Sequence, residues 1–401
     1  MSERVIFPTT LMQDHDPYPF LNDLRERGPV IPVRWRGIDT WLVTRYDDCR
    51  SALADPRLSH DASYADDLLS RHLGSEFVLL MGMEGSDPPR HTRLRSAVST
   101  EFTARQVRQL EPLIQDTTND LLEMVGDEDQ TDLVKLFEPL PLTIMGELLG
   151  VPQEDRGRLL RLAHDFFQPV DNPSTANNAN DAVGALTNYF LEVVQRHRSG
   201  LIEAMVSDSR GEPKLSDDEI AEVSVELVAA GSYTTISLIG NGFLSLVQHP
   251  DQMLLLQRGT ELIPSAIEEI LRFDGSLLEK QVFTKEDISI AGTSIPAGNV
   301  LLLCLGSANR DPRRFSNPDR FDVQRRGNSH LGFGHGIHFC LGAPLARLIG
   351  KIVFVSVLRR YSKIEQCSPV ETIRRSPSAL RRLDELPVRL TPSSERAEGG
   401  W

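Results

Sequence analysis

Between Leu227 and Gln248 the chain carries no charged residue, and few folds accommodate such a run. Just upstream, Ser216-Asp217-Asp218-Glu219 has the form of a capping box, in which the serine oxygen and the glutamate satisfy free N–H groups at a helix start. A helix beginning there could run to Pro250, roughly 50 Å at about 1.5 Å per residue. Such a rod must lie either in lipid or inside a layer of other elements. Ser232, Tyr233, Thr234, Thr235, Ser237, Asn241 and Ser245 make it too polar to favour lipid. The pattern therefore predicts a buried central helix that lines something.

The rest of the chain can supply that surrounding layer. With 401 residues, 40% hydrophobic and 25% charged, it has globular values and room for a core that encloses a cofactor. From Pro88 to about Gly200, apolar residues at three- and four-residue spacing predict helices over Val107–Val125, Pro141–Leu149, Glu154–Phe167 and Ala182–His197. A polar loop is expected over Asp171–Asn178. Further helices are expected over Phe20–Arg27, Pro264–Phe273 and Leu345–Tyr361. Strand-like runs are fewer. Ile31–Trp35 and Thr40–Thr44 read as a hairpin, and Ile288–Ile290 and Val300–Leu303 as two strands joined through Gly292 and Ile295-Pro296-Ala297-Gly298. Residues 57 to 90 read as a long loop, of the kind that often serves as a lid or binding loop, around the apolar island Phe77–Met81, and the tail beyond Pro392 as disordered.

Several function classes are disfavoured at this level. A formal net charge of −14 opposes nonspecific binding to nucleic acid or anionic membranes. Cys49, Cys304, Cys340 and Cys367 are far apart and form no CxxC or CxxH pair, so neither a disulfide framework nor a zinc site is signalled. A reducing compartment fits best. The opening residues lack an apolar signal core, so a cytoplasmic protein is expected.

One cysteine stands apart. Phe333-Gly334-His335-Gly336-Ile337-His338-Phe339-Cys340-Leu341-Gly342 sets three glycines around Cys340, just before an apolar run of helical character. Glycines allow a tight turn and close approach to something flat. A helix starting near Leu341 would aim its free N–H groups at the sulfur and lower its pKa, as metal ligation by thiolate requires. Cys340 is equally readable, on spacing alone, as a small buried apolar residue.

The run Phe333-Gly334-x-Gly336-x-His338-x-Cys340-x-Gly342 occurs with Glu269-x-x-Arg272, Ala230-Gly231-x-x-Thr234-Thr235 and Ala308-Asn309-Arg310-Asp311-Pro312. In this order and spacing the four motifs resemble the bacterial cytochrome P450 superfamily, over nearly the whole chain. The resemblance implies a mostly α fold with a smaller β-rich part at about 28–60 and 280–305, arranged as one domain. Haem b would lie between the central helix and the cysteine loop, with Cys340 as its axial thiolate. Such a ligand favours O–O cleavage and oxygen insertion. The resemblance also assigns cofactor contacts to Phe333, Gly334, Gly342, Ala230 and Gly231. It assigns the haem propionates to His91, Arg95 and His338, and it expects Glu269, Arg272 and Arg320 of Pro318-Asp319-Arg320-Phe321 to brace the cysteine loop.

Two positions depart from the family pattern. Where similar proteins place a propionate arginine, this chain has Val282, and Lys280 is the available substitute. Where they place an acid before the central threonine, it has Tyr233 beside Thr234. A tyrosine, with a reference pKa of about 10, is a poor proton shuttle compared with a carboxylate. Thr234 and Tyr233 are the catalytic candidates, Tyr233 either in a specialised relay or merely packing.

The chain has no flavin or iron–sulfur pattern, so electrons are expected from a ferredoxin and its reductase. Docking would use a basic patch of Arg347, Lys351, Arg359 and Arg360 on a monomer. The substrate pocket would draw on residues 73–86, Phe166-Phe167, Asn188-Tyr189, Val225, Val228, Ala229, Leu277-Leu278 and Ser378–Leu380. That mixture suits a medium or large hydrophobic polyketide, terpenoid or peptide. Peroxide-driven or nonhydroxylating oxidation, and a haem sensor without turnover, are the competing readings.

Overall fold

A computed structural model describes residues 4–72, 82–126, 130–166, 173–207, 211, 212, 214–376 and 380–393. The central helix runs Asp217–Gln248, with both halves of the Ser216/Glu219 capping box formed. It is the one described helix long and apolar enough to cross a membrane, and 83% of its apolar window is buried inside the protein. Helices Pro139–Leu149, Pro173–Arg196, Ile263–Phe273 and Ala343–Arg360 pack around it. Closeness is enforced at Gly242, where an added Cβ would lie 2.4 Å from the Phe354 ring and 2.9 Å from Ile270. Any larger residue would push the helix that follows the cysteine away from the core.

The β-rich part is a six-stranded sheet in the order Val5–Ile6, Val30–Trp35, Ile38–Val43, Val300–Leu303, Lys280–Thr284, Leu58–Ser59. The hairpin forms as the alternation predicts, and its turn places Arg36 and Gly37 at positive φ. Lys280–Thr284 lacks a clean period-2 pattern, and its pairing with Val300–Leu303 is supplied by the sheet. Ile288–Ile290 pairs with Thr293–Ile295 and not with Val300–Leu303, so the expected two-strand unit is divided between two sheets. A third sheet joins Tyr361–Gln366, Pro387–Pro392 and Thr131–Asp132.

Boundaries move in ways that local chemistry explains. The helix expected from Pro141 starts at Pro139, since proline is tolerated throughout a first turn. The stretch expected to be a polar loop is helical from Pro173 onward. Phe77–Met81, Phe167, Asp171 and Asn172 lie outside the described residues, as do Ser378, Ala379 and 394–401.

One buried ionic hub ties distant parts together. Asp274, at the end of the Ile263–Phe273 helix, accepts hydrogen bonds from Arg375, Arg381 and the Tyr18 hydroxyl. Arg381 also donates to the carbonyls of Met12, Asp14 and His15, and Arg375 to Asn241 of the central helix. Burial alone would raise the Asp274 carboxyl, but Arg381, Arg375 and Tyr18 outweigh it and hold the group far below the usual carboxylate range. A depressed folded pKa gives stability that is complete above the unfolded value of about 3.9 and lost as pH falls through the folded value. Asp274→Asn, which leaves two buried guanidinium groups short of a charge, should cost about 3–5 kcal/mol of unfolding free energy. The check is a lower denaturant midpoint at unchanged slope, together with a shallower loss of stability below about pH 4 than the parent shows.

Candidate active site

The cysteine loop is hung from a carboxylate that water does not reach. Glu269 is 0% exposed and accepts two 2.8 Å bonds from Arg272, three residues on along the same helical face. Arg272 continues to the carbonyls of Asn309 at 3.0 Å, Pro318 at 2.7 Å and Arg320 at 3.2 Å. The third member of the network is Arg325, whose Nε lies 3.1 and 3.0 Å from the two Glu269 oxygens. This corrects the expectation for Arg320, which contributes a backbone carbonyl and leaves its side chain exposed. The Pro-x-x-Phe element follows a turn at Asn317, with φ of 46°, and Arg325 is held inward by the carbonyls of Ser316, Asn317 and Arg320. Asn309 then fixes the loop entrance through a 2.7 Å bond from the Leu331 N–H.

Within the loop, Gly334 and Gly336 have φ of 71° and 76°, whereas Gly342 has an ordinary φ of −78°. At Gly342 an added Cβ would sit at ordinary contact distance, 4.0 Å, from the Cys340 sulfur, so neither φ nor space demands glycine there. The Cys340 N–H donates to the Phe333 carbonyl at 2.8 Å, and Arg347 lies over the Phe333 ring at 4.6 Å. Burial pushes the Cys340 thiol up, while the Gly342 N–H, Arg95, Arg347 and the Ala343 N–H pull it down. Burial wins, contrary to the lowered pKa expected from the helix start. The helix begins at Ala343, between the start near Leu341 and the span from Leu345 read from the sequence, with Pro344 offering no N–H. An anionic sulfur here calls for a bound cation, which is the condition a metal-ligating thiol meets.

The central helix has one open edge. Along a rod otherwise buried from Val223 to Leu246, Ala230 is exposed and Gly231 and Thr234 are half-exposed, one turn apart on one face. Thr234 donates its hydroxyl to the Ala230 carbonyl at 2.6 Å. Tyr233 turns elsewhere. Its ring lies 4.4 Å below the Arg382 guanidinium, and burial, with the neighbouring Glu138, raises its hydroxyl to about 12. Val225, Val228 and Ala229, expected in the pocket lining, are buried in helix packing, and Tyr189 and Leu278 are core residues.

The helix Arg90–Val98 connects this edge to the loop. Arg95 donates to the Phe339 carbonyl at 2.6 Å and feels the charges of both Cys340 and Glu226. On the central helix, Glu219 pairs with Arg93, Glu222 with Arg90 at 2.6 Å, and Glu226 accepts the N–H groups of Met83 and Glu84 at 2.7 Å each. Burial raises the Glu226 carboxyl to about 8 against those bonds. The three glutamates share one helical face, a spacing visible in the sequence whose targets were not.

At the edge of the site His338 stacks on His60 at 3.6 Å and 5°, and on its other side approaches His91 at 4.2 Å. Burial lowers both rings, His338 to about 2 with help from His60, His91 and Lys280, and His60 to about 3 with help from Lys280 and His91. Lys280, lowered by burial to about 8, pairs with Glu84. Val282 is 1% exposed and offers nothing polar. His60 was not foreseen, because a histidine between a short strand and a loop carries no sequence signal.

His60, His91 and His338 keep buried, unpartnered ring nitrogens beside Arg95 and Lys280, and each neutral ring has one N–H to offer a carboxylate. With a presented cysteine and an open edge of small residues, they fit a flat metal-bearing ligand that has acidic side arms. These features together define a haem-thiolate protein.

The comparisons agree. A family model described as Cytochrome P450 matches residues 187–384. The chain is 38% identical to 6-deoxyerythronolide B hydroxylase of Saccharopolyspora erythraea, over 94% of this chain and 96% of that one. It is 39% identical to the cytochrome P450 monooxygenase PikC of Streptomyces venezuelae, over 93% and 91% of the two chains. The tirandamycin C-bound P450 monooxygenase TamI superposes with a TM-score of 0.86 at 35% identity, covering 96% of this chain and all of that one. The chain belongs to the cytochrome P450 family. It is a monooxygenase that binds protoporphyrin IX haem, which sets aside the reading as a sensor without turnover.

Arg325→Ala should leave Glu269 undercompensated and cost about 3–5 kcal/mol, whereas Arg320→Ala should stay within about 0.5 kcal/mol of the parent. Thermal unfolding of the two holoproteins checks this, and equal losses would return Arg320 to the network.

Proposed function

We propose that Cys340 ligates the haem iron and that the enzyme hydroxylates or epoxidises a medium or large hydrophobic natural product of the polyketide, terpenoid or peptide kind. The observation that carries the substrate class is near full-length likeness to enzymes whose names specify a macrolide precursor and tirandamycin C. Bound haem supplies the oxygen-activating chemistry. The protein's own part is to ligate, orient and deliver protons. In this reading His91, Arg95, His338 and Lys280 hold the propionates. Phe333, Gly334 and Gly342 shape the ligand loop, and Ala230 and Gly231 leave room above the ring.

Thr234 is the proton-donating hydroxyl. Tyr233 is a packing residue, a role supported by its ring beneath Arg382 and its link to Glu138. No carboxylate stands beside Thr234 on the helix, so protons come through water or substrate hydroxyls. The chain works as a single-domain cytoplasmic monomer fed by a small acidic ferredoxin. The proposed dock is a groove of about 430 Å³ lined by Val107, Arg108, Ile267, Pro344, Leu348 and Lys351. Arg347, counted earlier in the basic patch, is already committed to Glu268 at 2.7 and 2.8 Å. Arg108 and Lys351 are the exposed cations left there.

Thr234→Ala should raise the share of reducing equivalents lost to peroxide severalfold, and Tyr233→Phe should leave that share unchanged while lowering stability by about 1 kcal/mol. A rise in peroxide in Tyr233→Phe would restore Tyr233 to the proton path. Macrolactones, terpenoids and hydrophobic peptides added to the holoprotein should reveal at least one ligand that shifts the Soret band and is oxygenated with ferredoxin. Turnover sustained by peroxide but not by ferredoxin would replace this reading with the peroxide-driven one.

A further inference from the structure

The haem-edge cluster holds more donors than its own chain satisfies. His60 Nδ1, His338 Nε2 and both ring nitrogens of His91 are buried without a hydrogen-bond partner. The His60 side chain is 7% exposed, and its Nδ1 lies 3.6 Å from the nearest Glu84 oxygen, beyond hydrogen-bond reach. Two carboxylates stand near these rings: Asp87, already taken by the His60 backbone N–H and by Lys285 at 3.3 Å each, and Glu84, which Lys280 engages directly. Lys280 and Val282 are two apart in one strand and so face the same side of the sheet, and Val282 brings no donor. Desolvated donors without acceptors cost free energy, so the cluster is built for a further acidic group.

A divalent cation fits less well. His60, Glu84 and His338 lie close together, but two rings stacked at 5° point their in-plane lone pairs side by side and do not converge on one ion.

We propose that His60 and Lys280 together bind one haem propionate, and that Glu84 is the protein's own carboxylate standing in that place, displaced when the cofactor seats. The displacement is local. The Glu84 backbone N–H stays on Glu226 at 2.7 Å, so rotation of the side chain clears Lys280 without moving the loop. His60 reaches the site from the segment after Leu58–Ser59, independent of the helix that carries His91 and of the cysteine loop. The propionate is thereby held from two separate parts of the chain, the segment after Leu58–Ser59 and the strand Lys280–Thr284.

The test follows haem loss from the holoprotein to excess apomyoglobin, with the propionate-bending band read by resonance Raman. His60→Phe keeps an aromatic stack on His338 and removes the donor. It should release haem roughly tenfold faster, the worth of one hydrogen bond to a charged group, and shift the band. His60→Asn, which restores a donor, should recover most of the difference and also guards against misfolding of the first variant. Glu84→Gln should slow release. His60→Phe with the parent's rate and band would overturn the role of His60, and faster release from Glu84→Gln would overturn its role as a displaced competitor. Both results are read while the reduced carbon-monoxide spectrum keeps its thiolate-type Soret band, so failure here is separable from failure of Cys340 as ligand.

Discussion

The Glu269 carboxylate has no access to water, and the position of the cysteine depends on how its charge is answered. Arg272, Arg325, the Asp322 N–H and Asn328 all reach it, and each comes from, or leads to, the irregular segment that ends at the ligand loop. A buried pair of this kind is weak support for stability in itself, since well-packed apolar residues could replace it. Its value is specificity. The segment from Asn309 to Leu331 has little regular structure, and it is the Arg272 fork that selects one conformation for it. An irregular stretch is thereby made rigid enough to present a sulfur.

How much of this was legible depended on whether a feature was written in local chemistry or in assembly. The central helix could be read to within two residues, because the capping box and the uncharged run are both local. Cys340, Thr234 and the Glu269–Arg272 pair were legible through motif spacing. Arg325 was not, because the carbonyls that hold it, of Ser316, Asn317 and Arg320, come together only in the folded irregular segment. Lys280–Thr284 was unreadable for a related reason: a central strand buried by its neighbours need not alternate. His60 and Glu84 stayed silent because each is an ordinary polar residue until the fold brings them together.

The two departures from the family pattern resolve differently. Tyr233 takes up a side-chain partnership with Arg382 and Glu138, behind the helix face that Thr234 presents, so the change of residue type accompanies a change of direction. At Val282 no cation is present, and Lys280, two residues back on the same strand face, stands near His60 from another segment, the pair proposed above to take its place. In one place the chain gives up a polar group, and in the other it moves one.

Glu219, Glu222 and Glu226 fasten one face of the central helix to Arg93, Arg90 and the Met83-Glu84 backbone. Those attachments belong to the helix that carries His91 and Arg95 and to the loop leading into it. On the proposed reading of the site, the polypeptide bordering the substrate cleft and the polypeptide gripping the cofactor are thus one mechanical piece. For laboratory evolution this sets a trade-off, since residues 82–90 cannot be varied for new substrates without also changing how firmly the prosthetic group is kept.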